Sequence, residues 1–324
     1  MLCGWSVTAK SLALHGSIRR IIAKVQVIEG WVMINMQDFI EKSPFAKKIS
    51  VDELLFAEFK CPMDEEKSNI WWHNNFFAHV LTGETVLKTP KGEYVLRPGD
   101  SAFAKKGSII THNHIQEDFC ELLVFVPDDF IKTVAQKYKI SLLSEPVADL
   151  GDTVIPLTSD EVLLSYFQSL LTHFLQTAPP ASTLLKLKFE ELLLNILSNN
   201  SQPGLHGYFS ELCRTSKPSI REIMELNFFS NLSLNEFARL CARSLSAFKR
   251  EFAEIYNAPP GKWLLEKRLQ YSYYLLETTD HSVDDICMET GFENRTHFTR
   301  VFKNKYGVSP GKLRMVKNFL SQEK

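Results

Sequence analysis

The sequence predicts an α+β protein of two domains: an antiparallel β-barrel followed by a pair of helices, and then an all-α domain with two helix-turn-helix units. Three observations support this class. The chain has 324 residues, which is long for one ordinary domain and suits two. Residues 51–127 alternate short apolar runs with turn residues. A phrase at residues 244–263 returns fifty positions later at residues 294–313, as when one structural unit is used twice.

The composition is typical of a soluble globular protein, with 44% apolar and 23% charged residues. The net charge of −1 is unevenly distributed. From residue 216 to the carboxyl end there are 17 Lys/Arg against 13 Asp/Glu, a balance of +4, whereas the remaining 215 residues carry 20 against 25, a balance of −5. This asymmetry permits a nucleic-acid partner without proving one, since solvated basic faces are common.

Redox and targeting signals predict a cytoplasmic protein. The six cysteines form no C-x-x-C pair, so we expect buried free thiols of a reducing compartment. No run of about 18 apolar residues is present, so no membrane partner is expected. Residues 1–35 lack the layout of a signal peptide and are predicted to be an extension upstream of an alternative start at Met33 or Met36.

Residues 36–155 are predicted to form the barrel, because short strands at regular spacing are typical of an antiparallel barrel or sandwich. Two groups of histidines raise the question of a site there. His112, His114 and Glu117 have the residue types of a metal set, but on a polar hairpin such histidines are usually solvated. We therefore predict no metal and no cofactor. The segment "WWHNNFF" at residues 71–77 lines a ligand pocket or fills the core, and core is the favoured interpretation.

Two helices are predicted in residues 156–200, and residues 201–215 are predicted to be an interdomain linker because they are polar with Pro and Gly. Ser159 is the expected N-cap of the first helix, and Pro179 with Pro180 separates the two into an antiparallel pair. Both apolar stripes are broader than packing on a barrel requires. They comprise Leu163, Phe167, Leu170, Leu171 and Phe174, and then Leu185, Phe189, Leu192, Leu193 and Ile196.

Residues 216–324 contain the repeated phrase, and each copy predicts a helix-turn-helix. In the first copy Ser233 and Glu236 form a capping-box pattern, and Ser244 is a second N-cap. In the second copy Ser282 and Asn294 are the corresponding N-caps, with Gly291 in the turn. Asn257 and Gly307 stand where a left-handed residue ends a helix. The apolar face of each second helix carries Phe248, Phe252 and Ile255, or Phe298 and Phe302.

An amphipathic helix between the copies serves as a strut, roughly 25–30 Å long at about 1.5 Å per residue. Such a strut holds two recognition helices near one DNA turn apart, about 34 Å.

The sequence contains no recognisable catalytic Ser/His/Asp or Cys/His set and no phosphate-binding glycine loop, so the chain is not predicted to be an enzyme. The polar outward faces of the two second helices offer Ser246, Lys249 and Arg250, and then Arg295, Thr296, Thr299 and Arg300.

The stretch "GFENRTHFTRVFKNKYGVSPGKLR" resembles the signature of the AraC/XylS transcription regulators. The resemblance covers about 100 residues and departs mildly at Ala242 and Asn257, where glycine is frequent. It implies sequence-specific binding of double-stranded promoter DNA, with the seven outward polar residues at the base-reading positions, and RNA polymerase as a partner. The matching residues are Gly291, Phe292, Phe298, Arg300, Phe302, Lys303, Gly307, Ser309, Pro310 and Arg314.

Residues 81–108 resemble the cupin-like sensor barrel of many members of this family, although cupin metal motifs place their H-x-H before the Pro-Gly-Asp turn. "FAKKGSII" and "LLKLKFEELLLNILS" resemble the activators of type III secretion genes, which a partner protein controls. The resemblance implies a homodimer formed through the helices of residues 156–200. It leaves the signal open between a small-molecule effector and a regulatory protein, and it makes a cupin metalloenzyme fused to DNA-binding helices the least favoured hypothesis.

Overall fold

The computed structural model describes residues 27–28, 31–43, 46–60, 68–113, 119–140, 151–176, 180–197, 202–215 and 217–315. The described strands are β1 Val27–Ile28, β2 Trp31–Asn35, β3 Lys47–Val51, β4 Leu54–Lys60, β5 Ser68–Trp72, β6 Asn75–Thr82, β7 Thr85–Thr89, β8 Gly92–Leu96, β9 Ser101–Ala104, β10 Gly107–Asn113, β11 Cys120–Val126 and β12 Val154–Leu157. The helices are α1 Met36–Lys42, α2 Asp128–Lys137, α3 Glu161–Phe174, α4 Ser182–Leu197, α5 Pro203–Arg214, α6 Ile220–Asn227, α7 Leu234–Leu240, α8 Leu245–Tyr256, α9 Pro260–Thr278, α10 Val283–Glu289 and α11 Arg295–Tyr306.

The strands form two six-stranded sheets, in the orders β1-β2-β5-β10-β7-β8 and β12-β9-β6-β11-β4-β3. The predicted barrel is not closed: closure requires the two end strands of a sheet to pair, whereas among the described residues both sheets keep open edges, as in the sandwich that the same strand pattern allows. The β2–β5 pair is parallel, so the strands are also not all antiparallel. Part of the predicted extension, residues 27–28 and 31–35, forms strands of the first sheet.

The second sheet is covered on both faces, which explains its long apolar runs. Along β6, Phe76, Ala78 and Val80 belong to the core between the sheets, whereas Phe77 faces the core beneath the helices. Every residue of β11 is buried for the same reason. The favoured interpretation of "WWHNNFF" as core of the sheet domain is confirmed for Trp72, Phe76 and Phe77, which are at most 5% exposed. Trp71 is buried as well, but in a cluster shared with the carboxy-terminal part.

Helices α3, α4 and α5 form the layer over the second sheet. The N-cap of α3 is Asp160 and not Ser159: the Asp160 carboxylate accepts a bond from the Leu163 amide, while the Ser159 hydroxyl donates to Gly99 O. Helix α5 occupies most of the segment predicted to be a linker, and Leu205 and Phe209 are fully buried in the same core as α3 and α4. The apolar residues of this segment therefore outweigh its Pro and Gly.

Helices α6 to α11 form the carboxy-terminal part, whose first helix packs on the first sheet. Trp71 and Ile110 of the sheet share one apolar cluster with Ile220, Ile223 and Met224 of α6. A core common to both parts of the chain couples their positions.

A set of buried polar contacts, which we call the interdomain junction, completes this interface. Asn227, at the end of α6, accepts bonds at its side-chain oxygen from the Ser108 amide (2.7 Å) and the Ser108 hydroxyl (2.9 Å). The buried Lys105 ammonium lies 3.5 Å from a Glu222 carboxylate oxygen. Gly107 has φ +153°, and a Cβ on it would lie 2.5 Å from the Asn227 side-chain oxygen. Glycine at 107 is thus required by a residue 120 positions away.

Gly107→Ala is expected to loosen the junction, because the added methyl group collides with Asn227 and the φ angle is unfavourable for alanine. We expect a loss of about 1–3 kcal/mol in the free energy of unfolding, measured by urea denaturation of the full chain. Gly99→Ala is the matched control, since Gly99 also has a positive φ of +92° but no atom lies within 4 Å of its added Cβ. An equal effect of the two substitutions would contradict this account of the junction.

Candidate nucleic-acid interface

Capping bonds define the two helix-turn-helix units as the sequence predicts. Ser233 and Glu236 form a reciprocal capping box at α7, and Ser244 accepts the Ala247 amide at α8. Ser282 and Asn294 cap α10 and α11 in the same way. These side chains satisfy amide groups that helix ends leave without partners, so they fix where each helix begins.

The turn between the helices differs between the two units. The N-caps of α7 and α10 are 49 positions apart (233 to 282), whereas those of α8 and α11 are 50 apart (244 to 294), so the second turn is one residue longer. Both turns use a left-handed residue, Ala242 with φ 51° and Gly291 with φ 78°. Alanine in this conformation carries a steric cost that glycine avoids.

Two phenylalanines set the rotation of each recognition helix, α8 and α11. Phe248 and Phe252 on α8, and Phe298 and Phe302 on α11, are 0% exposed. Because each pair is four residues apart on one face, the opposite face points to solvent. Ile255, predicted to share the inward face of α8, is 40% exposed. The next residue, Tyr256, packs against the core instead.

The predicted base-reading residues lie on the two solvent faces at equal positions in the two helices. Positions 1, 2, 5 and 6 of α11 are Arg295, Thr296, Thr299 and Arg300, and positions 2, 5 and 6 of α8 are Ser246, Lys249 and Arg250. All are exposed except Thr299, which is half-buried. The Arg295 guanidinium lies 2.7 Å from an exposed Asp284 carboxylate, a pairing that the sequence analysis did not anticipate.

An open groove at the amino-terminal end of α8 adds basic residues that the sequence analysis missed. Lys217 and Arg239 line it together with Ser244 and Ala247. Arg243 also borders the groove, but its guanidinium bonds to Glu251 and to the Pro218 and Cys241 carbonyls, so it braces the turn. Lys217 and Arg239 come from separate segments of the chain and become neighbours of α8 only in the folded structure, so the sequence pattern does not group them.

The described residues contain neither a cluster suited to a metal ion nor a helix suited to cross a membrane. His114 and Glu117 lie outside the described residues, and only the backbone of His112 is described. Among the residues that the structure covers, no group of His, Cys, Asp and Glu is arranged to hold a metal ion. Within the same ranges no helix has the length and apolar character to cross a membrane. Cys120, Cys241 and Cys287 are buried and form no disulfide, as predicted, and Cys213 is half-buried and forms none either.

Comparison with known families matches both parts of the chain. Residues 75–208 match the ExsA N-terminal regulatory domain, a range that runs into α5. Residues 237–315 match a helix-turn-helix domain, which includes both recognition helices.

Similar proteins align over most of the chain. VirF of Yersinia enterocolitica, a virulence regulon transcriptional activator, is 30% identical over 242 residues, which is 74% of this chain and 88% of VirF. The thermoregulatory protein LcrF of Yersinia pestis has the same identity and coverage. The transcriptional regulator ExsA of Pseudomonas aeruginosa is 25% identical over 244 residues, covering 74% of this chain and 85% of ExsA. The chain therefore belongs to the AraC family of helix-turn-helix transcriptional regulators, together with VirF, LcrF and ExsA, and it is a DNA-binding regulator and not an enzyme.

Proposed function

We propose that residues 216–324 bind two successive major grooves of promoter DNA through α8 and α11. The observation that carries this proposal is the equal placement of exposed polar side chains near the start of both helices, opposite buried phenylalanine pairs. A recognition helix presents that end to base edges. Helix α9 has 19 residues, or about 28 Å at 1.5 Å per residue, which suits units near one DNA turn apart.

Each of the seven predicted residues has a role in this proposal. Lys249, Arg250 and Arg300 contact bases, and arginine does so with guanine through two parallel bonds. Ser246, Thr296 and Thr299 contact bases or phosphates. When DNA binds, the Arg295 guanidinium leaves the Asp284 carboxylate and pairs with a phosphate. This change costs little, because a surface ion pair contributes little to stability. Lys217 and Arg239 add phosphate contacts beside α8, which position the domain without reading sequence.

Activation is the proposed outcome of binding. VirF is a transcriptional activator by its description, and it aligns with this chain over both domains. A regulator that binds upstream of a promoter activates by contacting RNA polymerase, so RNA polymerase is a proposed partner.

Arg300→Ala and Lys249→Ala are each expected to weaken binding to the specific site by about 1–3 kcal/mol and to relax sequence preference in one half-site each. Footprinting of the full chain on one promoter measures both effects. Lys262→Ala, an exposed lysine on α9, is the matched control. If both variants keep wild-type protection and preference, α8 and α11 do not read bases.

We also propose that the chain dimerises through α3 and α4. Most residues of the two predicted apolar stripes are buried within the subunit, which removes them from this role. Other apolar side chains on or beside the same helices stay exposed: Val162 (56%), Leu175 (68%), Leu184 (42%) and Leu187 (51%). Covering them is favourable because burial of apolar surface stabilises an interface.

A double substitution, Leu184→Glu with Leu187→Glu, is expected to convert a dimer into a monomer, since it places charges in the proposed interface. Sedimentation of the full chain measures the mass. On DNA with two sites the variant should lose the gain from joint binding, which reaches about 10²–10⁴-fold, while affinity for a single site stays unchanged. Val95→Glu, another exposed apolar position, is the control. A monomeric wild type, or a variant that stays dimeric, would overturn the proposal.

We propose that a regulatory protein, and not a small ligand held between the sheets, is the signal that controls this regulator. Large side chains fill that space: Trp72 and Phe125 are 0% exposed, Leu123 is 1% and Phe59 is 2%. Interiors packed in this way have little room for a ligand. A partner protein needs only the outer surface of the regulatory domain.

Native mass spectrometry of the purified full chain tests this preference. We expect the mass of the polypeptide, or of its dimer, without a bound small molecule or metal, because the core between the sheets is filled. The denatured spectrum of the same sample is the control. A stoichiometric adduct that disappears on denaturation would support the small-molecule effector, or the cupin metalloenzyme if the adduct is a metal.

A further inference from the structure

Arg268 lies in the middle of α9 and bonds to both helix-turn-helix units. Its Nε donates to Phe228 O at 2.8 Å, and one terminal nitrogen donates to Ser230 O at 2.5 Å; both carbonyls precede α7 of the first unit. The other terminal nitrogen donates to Gly291 O at 3.0 Å, in the turn of the second unit. One guanidinium therefore joins two segments that are about sixty residues apart in the chain.

The backbones of the two units also approach each other directly at this point. A Cβ on Gly291 would lie 2.6 Å from Phe229 O and 3.0 Å from the Arg268 Nε. Glu293 lies in the turn of the second unit, which is one residue longer than that of the first, and its carboxylate accepts a bond from the Asn231 side-chain amide at 2.7 Å. We call this set the inter-unit clamp: Phe228–Asn231, Arg268, Gly291 and Glu293.

The chemistry of the clamp requires arginine. A guanidinium presents five donors in a rigid plane, so it can bond to three carbonyl groups at once. Lysine has a single ammonium and lacks this fork. Burial lowers the pKa of Arg268 to about 10, which leaves the group charged at neutral pH. One turn along α9, the buried Ser272 hydroxyl bonds to the Thr290 hydroxyl at 2.9 Å and adds to the attachment of the second unit.

We propose that Arg268 is a positioning residue for DNA recognition: by clamping the two units together it sets the separation and angle of α8 and α11, and with them the half-site spacing that both helices contact at once. This inference rests on the two-groove binding proposed above. Strut length alone does not fix the geometry, because a helix–turn–helix unit attached only at its end can rotate about the connection. The clamp removes that freedom.

The test is a spacing series on DNA. A duplex with both half-sites, selected with the wild-type full chain, is compared with duplexes that carry one or two base pairs inserted or deleted between the half-sites. For wild type, one inserted base pair should lower affinity about tenfold, as expected when one good base contact is lost. Footprints of each half-site show whether both helices remain engaged.

Arg268→Met and Arg268→Lys are expected to bind the optimal duplex about tenfold more weakly and to lower the penalty for one inserted base pair to about threefold or less, because the units then adjust independently. Glu293→Ala removes an exposed member of the clamp without opening the core, and it should reduce the penalty partly. It keeps the test valid if the Arg268 variants do not fold, which circular dichroism detects. Lys267→Ala is the control, since Lys267 pairs with Glu225 of α6 and lies over the Trp263 ring of its own helix, and neither contact reaches the second unit.

The outcomes separate the two proposals. A wild type that shows no dependence on spacing contradicts two-groove binding itself. A spacing-dependent wild type with folded Arg268 variants that keep the full penalty, or that lose affinity equally on every duplex, overturns the clamp alone. Glu293→Ala decides in the same way where the Arg268 variants do not fold. A flattened spacing profile in the Arg268 or Glu293 variants, with the Lys267→Ala profile unchanged, supports it.

Discussion

Burial of two phenylalanines on each recognition helix is the constraint on which the proposed DNA-binding surface depends. Phe248 and Phe252, and Phe298 and Phe302, fix the rotation of α8 and α11, and the polar residues then face solvent without further adjustment. Deleting one such ring would cost about 3–5 kcal/mol in cavity and transfer terms, more than any single capping bond contributes. The caps decide where each helix begins, and the rings decide which face is presented.

Features encoded by neighbouring residues could be predicted from the sequence. The N-caps at Ser233, Ser244 and Ser282 and the left-handed residue Asn257 follow from short-range chemistry that repeats in both units. The open edges of the two sheets could not be predicted, because sheet closure depends on which distant strands pair. The linker predicted at 201–215 was wrong because Pro and Gly, which are common in linkers, stand here at the start of α5, and apolar residues at helical spacing follow them.

The candidate interface likewise combines features that neighbouring residues predict with contacts between distant residues that they do not predict. Helical periodicity predicts that Lys249, Arg250 and Arg300 are exposed, and they are. It does not predict that Arg295 pairs with Asp284, because that contact joins two helices across the turn. Nor does it single out Arg268, which the amphipathic pattern of α9 places as an ordinary surface residue. The three acceptors of its hydrogen bonds are backbone carbonyl groups. Every residue type has such a group, so the sequence gives no indication of these contacts.

Residues 227–231 connect these contacts into one path. Asn227 holds Ser108 of the first sheet, Phe228 and Ser230 supply carbonyls to Arg268, and Asn231 holds the second unit through Glu293. Ser230 also bonds to Ser108 through its hydroxyl. The segment that docks the DNA-binding domain on the regulatory domain is thus the segment that clamps its two units. A rearrangement that displaces Gly107 and Ser108 acts directly on that segment, so the geometry of the proposed DNA-binding surface and the position of the first sheet are not independent.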